Sequence, residues 1–328
     1  MQVLILAESE VGRLAEEGLV MSAVEEAFRL DGLGQVQMPE KSYLTFSEYH
    51  GDLRTMPAYL PSLNAAGVKV VNSHPENPKA GLPTVMALVI LNDPQNGQPL
   101  AIIAGSALTA IRTGAAGALA AKLLAPPNAE RAGFIGGGTQ ARQQLKFLMR
   151  VRPIRSIQVY DIDRKKAEGF CEYARQLGIS GATVAAAAQE PAGEPIVVTT
   201  TPGQGPVCGA EAFRPGSHVN AIGADAPGKQ ELPPAILSRA KVVVDSREQA
   251  AHSGEINVPI AKGLYRPDRI HATLGEIVAG KKPGRTADSE VTLFDSTGVA
   301  ILDIALAKKI YDLAVGQKAG KIVGLDQS

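Results

Sequence analysis

One lysine, two arginines and an aspartate stand where their neighbours make a charge unexpected. Lys69 interrupts the apolar run GVKVVN (Gly67–Asn72). In a strand its side chain shares a face with Gly67 and Val71. An ammonium there lies at the edge of a cleft or is costly to bury. Desolvation and neighbouring cations lower a lysine's pKa towards neutrality, where it can both give and accept a proton. The alternative is a lysine on a half-exposed strand surface. Arg54 in GDLRTMPAY and Arg112 in ALTAIRTGAAG, with Lys41 further off, form a second set. The arginines' planar forks match a carboxylate, and Arg112 suits a cofactor phosphate equally well. Surface ion pairs are the competing reading. Asp225 in NAIGADAPGKQEL follows an apolar run and sits in a Gly/Pro loop. Open α/β sheets place ligands at such points, although an ordinary turn aspartate fits too.

A glycine turn supplies the cofactor half of the chemistry. GFIGGGTQAR (Gly133–Arg142) reads as strand end, turn and helix start, and IQVYDID (Ile157–Asp163) follows it. The acidic residue falls at roughly the 20-residue offset of a dinucleotide fingerprint. Gly136 permits a tight bend, Gly138 lets backbone approach a pyrophosphate, and Ala141 packs helix on strand. A helix beginning near Thr139 points free N–H groups at the phosphates. Asp161 would bind the adenosine ribose diol, and its charge repels a 2′-phosphate, which favours NAD over NADP. Arg164 and Lys165 soften that preference. A sterically required glycine turn and a solvated loop carboxylate remain the plain alternatives.

The elements that position these residues follow from periodicity. Val20, Val24, Ala27 and Phe28 mark one face of a helix closed by Gly32 and Gly34. From Tyr43 to Ile103 short β-like runs follow: Gly67–Asn72, Thr84–Asn92 and Pro99–Ala104. The turns ENPKAGLP and DPQNGQ suit antiparallel pairing. Ser106–Leu124 reads as an alanine-rich helix stopped by Pro126-Pro127. Strand–helix alternation then begins: Thr139–Val151 and Arg164–Leu177 as helices, with strands at SIQVYD, Glu194–Thr201, His218–Asp225 and Ala240–Ser246. This pattern implies a doubly wound parallel sheet with helices on both faces. A last helix, Ile301–Ala314, follows VTLFDSTG and can return to the first domain. The expected class is therefore α/β: a Rossmann domain over 126–299, and a discontinuous α+β domain over 1–125 completed by 300–328.

Bulk properties exclude several functions. The 328 residues suit about two domains. Thirty-three basic residues balance 33 acidic ones, leaving no electrostatic footprint for nucleic acid or anionic membrane. Two cysteines, Cys171 and Cys208, make no disulfide scaffold, and the five scattered histidines carry no metal-ligand spacing. The N-terminus lacks the basic flank and cleavage site of a signal peptide. The longest apolar stretch, Pro83–Leu91, is too short for a bilayer. A soluble, cytoplasmic protein with no membrane partner is expected.

Six segments then combine: GVKVVNSHPENP, LPTVMALVILND, LTAIRTGAAGALAAK, GFIGGGTQA, NAIGADAPGKQEL and VTLFDSTG. In this order and spacing the chain resembles the ornithine cyclodeaminase/mu-crystallin family over nearly its whole length. AVEEAFRL, GDLRTMPA, NSHPENP and GEIN are most similar to the archaeal-type alanine dehydrogenases of that family. The resemblance implies a substrate-binding and dimerising domain, hence a homodimer, alongside an NAD-binding domain. It implies Lys69 as catalytic acid/base, with Arg54, Lys41, Arg112 and Thr297 about the substrate carboxylate. Asp225 would act at the reacting carbon and nitrogen, and oppose the depression of Lys69's pKa by the cations. Gly136, Gly138, Thr139, Gln140, Asp161 and Arg112 would hold NAD, with Thr84, Thr201, Ala221, Ile222, Lys229 and Ser296 as further contacts. Ornithine cyclodeaminases carry a glutamate two positions before their Met-Pro pair; here Arg54 precedes Met56-Pro57. A cation there repels an ammonium. The implied activity is interconversion of L-alanine with pyruvate and ammonia. The alternatives are reduction of a cyclic imine (pyrroline-2-carboxylate or a ketimine), ornithine cyclodeamination, or a non-enzymatic, crystallin-like NAD(P)H- or ligand-binding role.

Overall fold

The computed structural model describes residues 1–325. It resolves into two units, one formed by Met1–Arg112 with the chain from Val299 onward, the other by Thr113–Gly298. The last three residues of the expected 300–328 segment lie outside the described residues.

In the first unit, β1 (Gln2–Leu6) leads through α1 (Glu8–Leu14) and α2 (Glu17–Gly32) into a meander. Its strands are β2 (Ser42–Phe46), β3 (Gly51–Leu60), β4 (Ala65–Ser73), β5 (Val85–Asn92) and β6 (Pro99–Ala104). Neighbours among β2–β6 pair antiparallel, and β6 pairs parallel with β1. Burial alternates along β3, with Arg54, Met56, Ala58 and Leu60 on the inward face. Helix α3 (Gly105–Leu124) follows directly. It is long and apolar enough to cross a bilayer, which the sequence reading overlooked, but most of it is buried inside the protein.

The boundary between units falls at Arg112/Thr113, inside α3, and not at the prolines that end the helix. Glycines explain why. A Cβ on Gly114 would come within 2.7 Å of Gln143 O, and one on Gly117 within 2.0 Å of Gln144 Oε1. The C-terminal part of α3 thus lies tight against the second unit's first helix, and Gln144 Nε2 donates to Thr113 O at 2.9 Å.

That unit alternates as expected: β7 (Arg131–Ile135), α4 (Thr139–Leu148), β8 (Ser156–Tyr160), α5 (Arg164–Gln176), β9 (Gly181–Val184), α6 (Gln189–Ala192), β10 (Ile196–Thr199) and β11 (His218–Ala221). Then come β12 (Ala240–Val244), α7 (Arg247–Ser253), α8 (Asn257–Ala261), β13 (Ala272–Thr273), α9 (Leu274–Val278) and β14 (Val291–Asp295). All eight strands pair parallel in the order β13-β12-β14-β11-β10-β7-β8-β9. Strand order reverses between β7 and β10, the crevice where such sheets receive a dinucleotide. The chain then returns to the first unit through α10 (Ala300–Gln317), which packs on α2 and across β3, β4 and β5. Strand β15 (Lys321–Gly324) closes that sheet against β1.

Candidate functional site

Register places the first unit's cations. Lys69 lies opposite Met56 and Val89, and Arg54 opposite Val71. Directly paired residues share a sheet face, so Lys69 and Arg54 both point towards α10. Gly67, two residues before Lys69 on that face, is crowded chiefly by the backbone of β5. A Cβ there would lie 3.2 Å from Ile304 Cδ1 and 2.2 Å from Ile90 O. The packing of α10 across β4 brings Asp303, in the first turn of α10, onto the lysine.

The result is a buried cluster. Lys69 Nζ lies 2.8 Å from Asp303 Oδ2, and Arg112 Nε donates to Asp303 Oδ1 at 2.9 Å. Lys69 is 1% exposed and Asp303 is fully buried. Burial, and next the charge of Arg112, depress the lysine's pKa to about 7; Asp303 opposes the shift and Lys41 adds to it. The strand-surface reading of Lys69 is therefore wrong, and so is the surface-ion-pair reading of Arg112, which is 4% exposed. The carboxylate opposing the shift is Asp303, where the sequence reading assigned that part to Asp225. Asp303 was missed although its signal was present: an acid inside the apolar helix AILDIALA. Asp52 was missed too. It grips Arg54 side-on, Nε to Oδ1 at 2.8 Å and Nη2 to Oδ2 at 2.9 Å. The guanidinium also lies 5.5 Å from the centre of the Tyr43 ring, so its plane is fixed before any ligand arrives. Lys41 is buried beside β2. Thr84 stands just before β5, its carbonyl accepting from His74 N at 2.8 Å.

The second unit gathers the other candidates at the carboxyl edge of its sheet. Gly136 has φ +98°, and a Cβ there would lie 2.8 Å from Thr200 O. Only glycine fits such a turn. Gly137 N donates to Asp161 Oδ2, and Asp163 N to Asp161 Oδ1, both at 2.8 Å. Asp161 thereby shapes the turn it faces, and each oxygen keeps a second lone pair for a ribose hydroxyl. A Cβ on Gly138 would meet nothing within 4 Å. Glycine at 138 thus answers no crowding from the protein. Gln140 Nε2 is buried with no hydrogen-bond partner among the described residues. Thr139 opens α4, and Ala141 is wholly buried in the core with Phe134 and Val159. A free helix N-terminus, open space at Gly138 and an unused buried donor together fit a dinucleotide pyrophosphate. Arg164 is held by Glu168 at 2.8 Å.

Buried carboxylates tie down the remaining loops. Glu231 accepts from Thr199 Oγ1 at 2.7 Å, Thr201 N at 2.6 Å and Gly223 N at 2.7 Å. Burial nevertheless pushes its pKa up. Asp245 accepts from Thr297 Oγ1 at 2.8 Å and Gly298 N at 2.7 Å. Ser296 N donates to Ala221 O at 3.0 Å, which joins the ends of β14 and β11, just before Ile222. Asp225, beyond β11, pairs with Lys229 at 2.6 Å. His218 is held near neutrality of charge by burial, its pKa lowered to about 3, and it bonds to Thr292 and Asn220 at 2.9 Å. Burial raises both cysteine thiols. None of these three side chains is poised for proton transfer or nucleophilic attack near neutral pH.

The model of the ornithine cyclodeaminase/mu-crystallin family matches residues 1–318. The chain belongs to that family. This family member is 52% identical over 320 residues to the alanine dehydrogenase of Archaeoglobus fulgidus, with 98% of each chain covered. A solved archaeal alanine dehydrogenase dimer with bound NAD superposes with a TM-score of 0.95 at 50% identity, covering 99% of this chain and 100% of that one. The Thermococcus litoralis Δ1-pyrroline-2-carboxylate reductase, solved with NADH and L-proline, superposes with a TM-score of 0.94 at 38% identity, covering 97% and 99%.

Proposed function

We propose that this protein is an NAD-dependent oxidoreductase that interconverts L-alanine with pyruvate and ammonia. The observation that carries the reading is the buried Lys69–Asp303–Arg112 cluster, with a lysine titrating near pH 7. A general acid/base works best when its pKa lies near the working pH. A purely ligand-binding protein has no need of such a group. NADH, held by Gly136, Gly138, Thr139, Gln140 and Asp161, supplies the hydride when bound. Arg54, fixed by Asp52, clamps the carboxylate of the 2-oxo acid, assisted by Lys41 and Arg112. Lys69 donates its proton to the carbonyl oxygen as ammonia adds, then assists departure of water. The cationic iminium so formed calls for an anionic neighbour, and Asp225 is assigned to it. Thr297 joins the substrate set. Thr84, Thr201, Ala221, Ile222, Lys229 and Ser296 join the cofactor set. Two free thiols, both buried, suit the reducing cytoplasm.

The likeness to a reductase solved with L-proline favours one second reading, reduction of a cyclic imine, since the same clamp and acid serve a substrate whose C=N bond is already made. Arg54 in place of the cyclodeaminases' glutamate disfavours ornithine. Mixing the protein with NADH, ammonium and pyruvate, and separately with pyrroline-2-carboxylate or with ornithine and NAD, separates these readings. Loss of NADH with pyruvate only when ammonium is present supports the proposal. Loss with the cyclic imine alone overturns it in favour of the second reading.

The protein is further assigned as a homodimer. The face of the first unit's sheet turned away from α10 carries Leu44 and Leu88, 60% and 50% exposed, with Ile5 and Met86. Register puts Ile5, Ile102 and Ile90 in one row of that face, and Leu88 beside Val70. This exposed apolar face supports the assignment, since monomeric proteins rarely expose large contiguous apolar patches.

A further inference from the structure

The segment GEIN (Gly254–Asn257) lies far along the chain from the candidate catalytic residues, yet its side chains run to the loop that carries Asp225. Asn257, 8% exposed, bonds that loop on both sides of one peptide: its Oδ1 accepts from Gly228 N at 3.0 Å, and its Nδ2 donates to Lys229 O at 2.8 Å. Glu255, fully buried, accepts from Glu231 N at 2.9 Å and Leu232 N at 2.6 Å. Glu255 is itself located by Asp295, whose Oδ1 accepts from Glu255 N at 2.8 Å. Gly254 permits this, because a Cβ there would lie 2.6 Å from Asp295 Oδ2. Glu231 closes the loop's base by gripping Gly223 N. The loop from Gly223 to Glu231 is thus fastened at its base by two glutamates and at its far turn by one asparagine. Asp225 stands between the two fastenings.

We infer that Asn257 is a positioning residue for Asp225, setting the loop that aims its carboxylate. The inference rests on the proposed catalytic role of Asp225. Its logic is geometric: the turn at Gly228 has φ +81° and is closed by Lys229 N donating to Ala226 O at 3.2 Å. The two amide bonds from Asn257 tie that turn to α8. A misplacement of about 1 Å at a reacting group can cost on the order of 100-fold in rate.

The test is a double-mutant cycle on the whole protein, read as single-turnover NADH oxidation with enzyme in excess, using whichever 2-oxo acid or imine wild type turns over. Asn257→Ala, measured at saturating NADH, is expected to lower the rate by about tenfold or more. Combined with Asp225→Asn, the further effect of Asn257→Ala is expected to shrink below about twofold, as it must for residues acting through one another. An equal loss in both backgrounds, or no loss in either, overturns the inference. Wild-type rates in Asp225→Asn alone instead overturn the role of Asp225, and this inference with it. Where Asn257→Ala is insoluble, Asn257→Asp decides: it keeps the acceptor for Gly228 N–H and loses the donor to Lys229 O, and an unchanged rate in it also overturns the inference.

Discussion

Lys69 and Asp303 are opposite charges held almost wholly out of water, an arrangement that rarely improves stability over an apolar pair because desolvation consumes the attraction. Such a cluster is retained for what the charges do. With a folded pKa near 7 against an ordinary 10.5, Lys69 is charged in both folded and unfolded chains below pH 7. Between about 7 and 10.5 the unfolded chain holds a proton that the folded one has released, so this group's contribution to stability rises with pH across that window. The same ionisation sets the activity. In the aminating direction Lys69 must begin protonated, so kcat/KM is expected to fall as pH rises through about 7; in the deaminating direction it must begin neutral, and kcat/KM is expected to rise there. Asp303→Asn removes the charge that holds the value up, and both limbs should move to lower pH. Limbs that stay in place in pH profiles of Asp303→Asn would mean that another group titrates.

Two elements turn these residues into sites: α10, which delivers Asp303, and the turn between β7 and α4, which presents N–H groups. The turn separates two explanations for its glycines. Gly136 is required by backbone geometry whatever binds, whereas Gly138 has an extended conformation and open space around it. Gly138→Ala should therefore leave the melting temperature nearly unchanged and weaken NADH binding by an order of magnitude or more, measured by fluorescence titration. Unchanged affinity would show that the cofactor does not approach this point. The turn, its acid and the parallel sheet were readable because each depends on local spacing: a strand, glycines at fixed offsets, a carboxylate at the next strand end. Strands β1, β9 and β15 were not read, since Gln2–Leu6, Gly181–Val184 and Lys321–Gly324 are short and owe their conformation to neighbours distant in sequence. Asp303 escaped for a related reason. Its partners Lys69 and Arg112 come from two other elements, and only the packing of α10 across β4 unites them.

At the scale of the whole molecule, the mid-chain position of the glycine turn indicated that another domain precedes it, and the last helix completes that domain. What spacing did not reveal was the division inside α3, which depends on glycine contacts with a later helix. The outer sheet face gives the account a consequence for assembly. Leu88→Glu places a charge amid that apolar surface, and light scattering should find wild type dimeric and Leu88→Glu monomeric; a dimeric Leu88→Glu would place the interface elsewhere. The central claim, that Lys69 is the acid/base of an NAD-dependent amination, has a more direct test. Lys69→Ala is compared with wild type for NADH oxidation in the presence of pyruvate and ammonium, with NADH binding measured in the same samples. A rate loss of roughly 10²–10⁴-fold with intact NADH binding is the predicted result, and a rate close to wild type would contradict it.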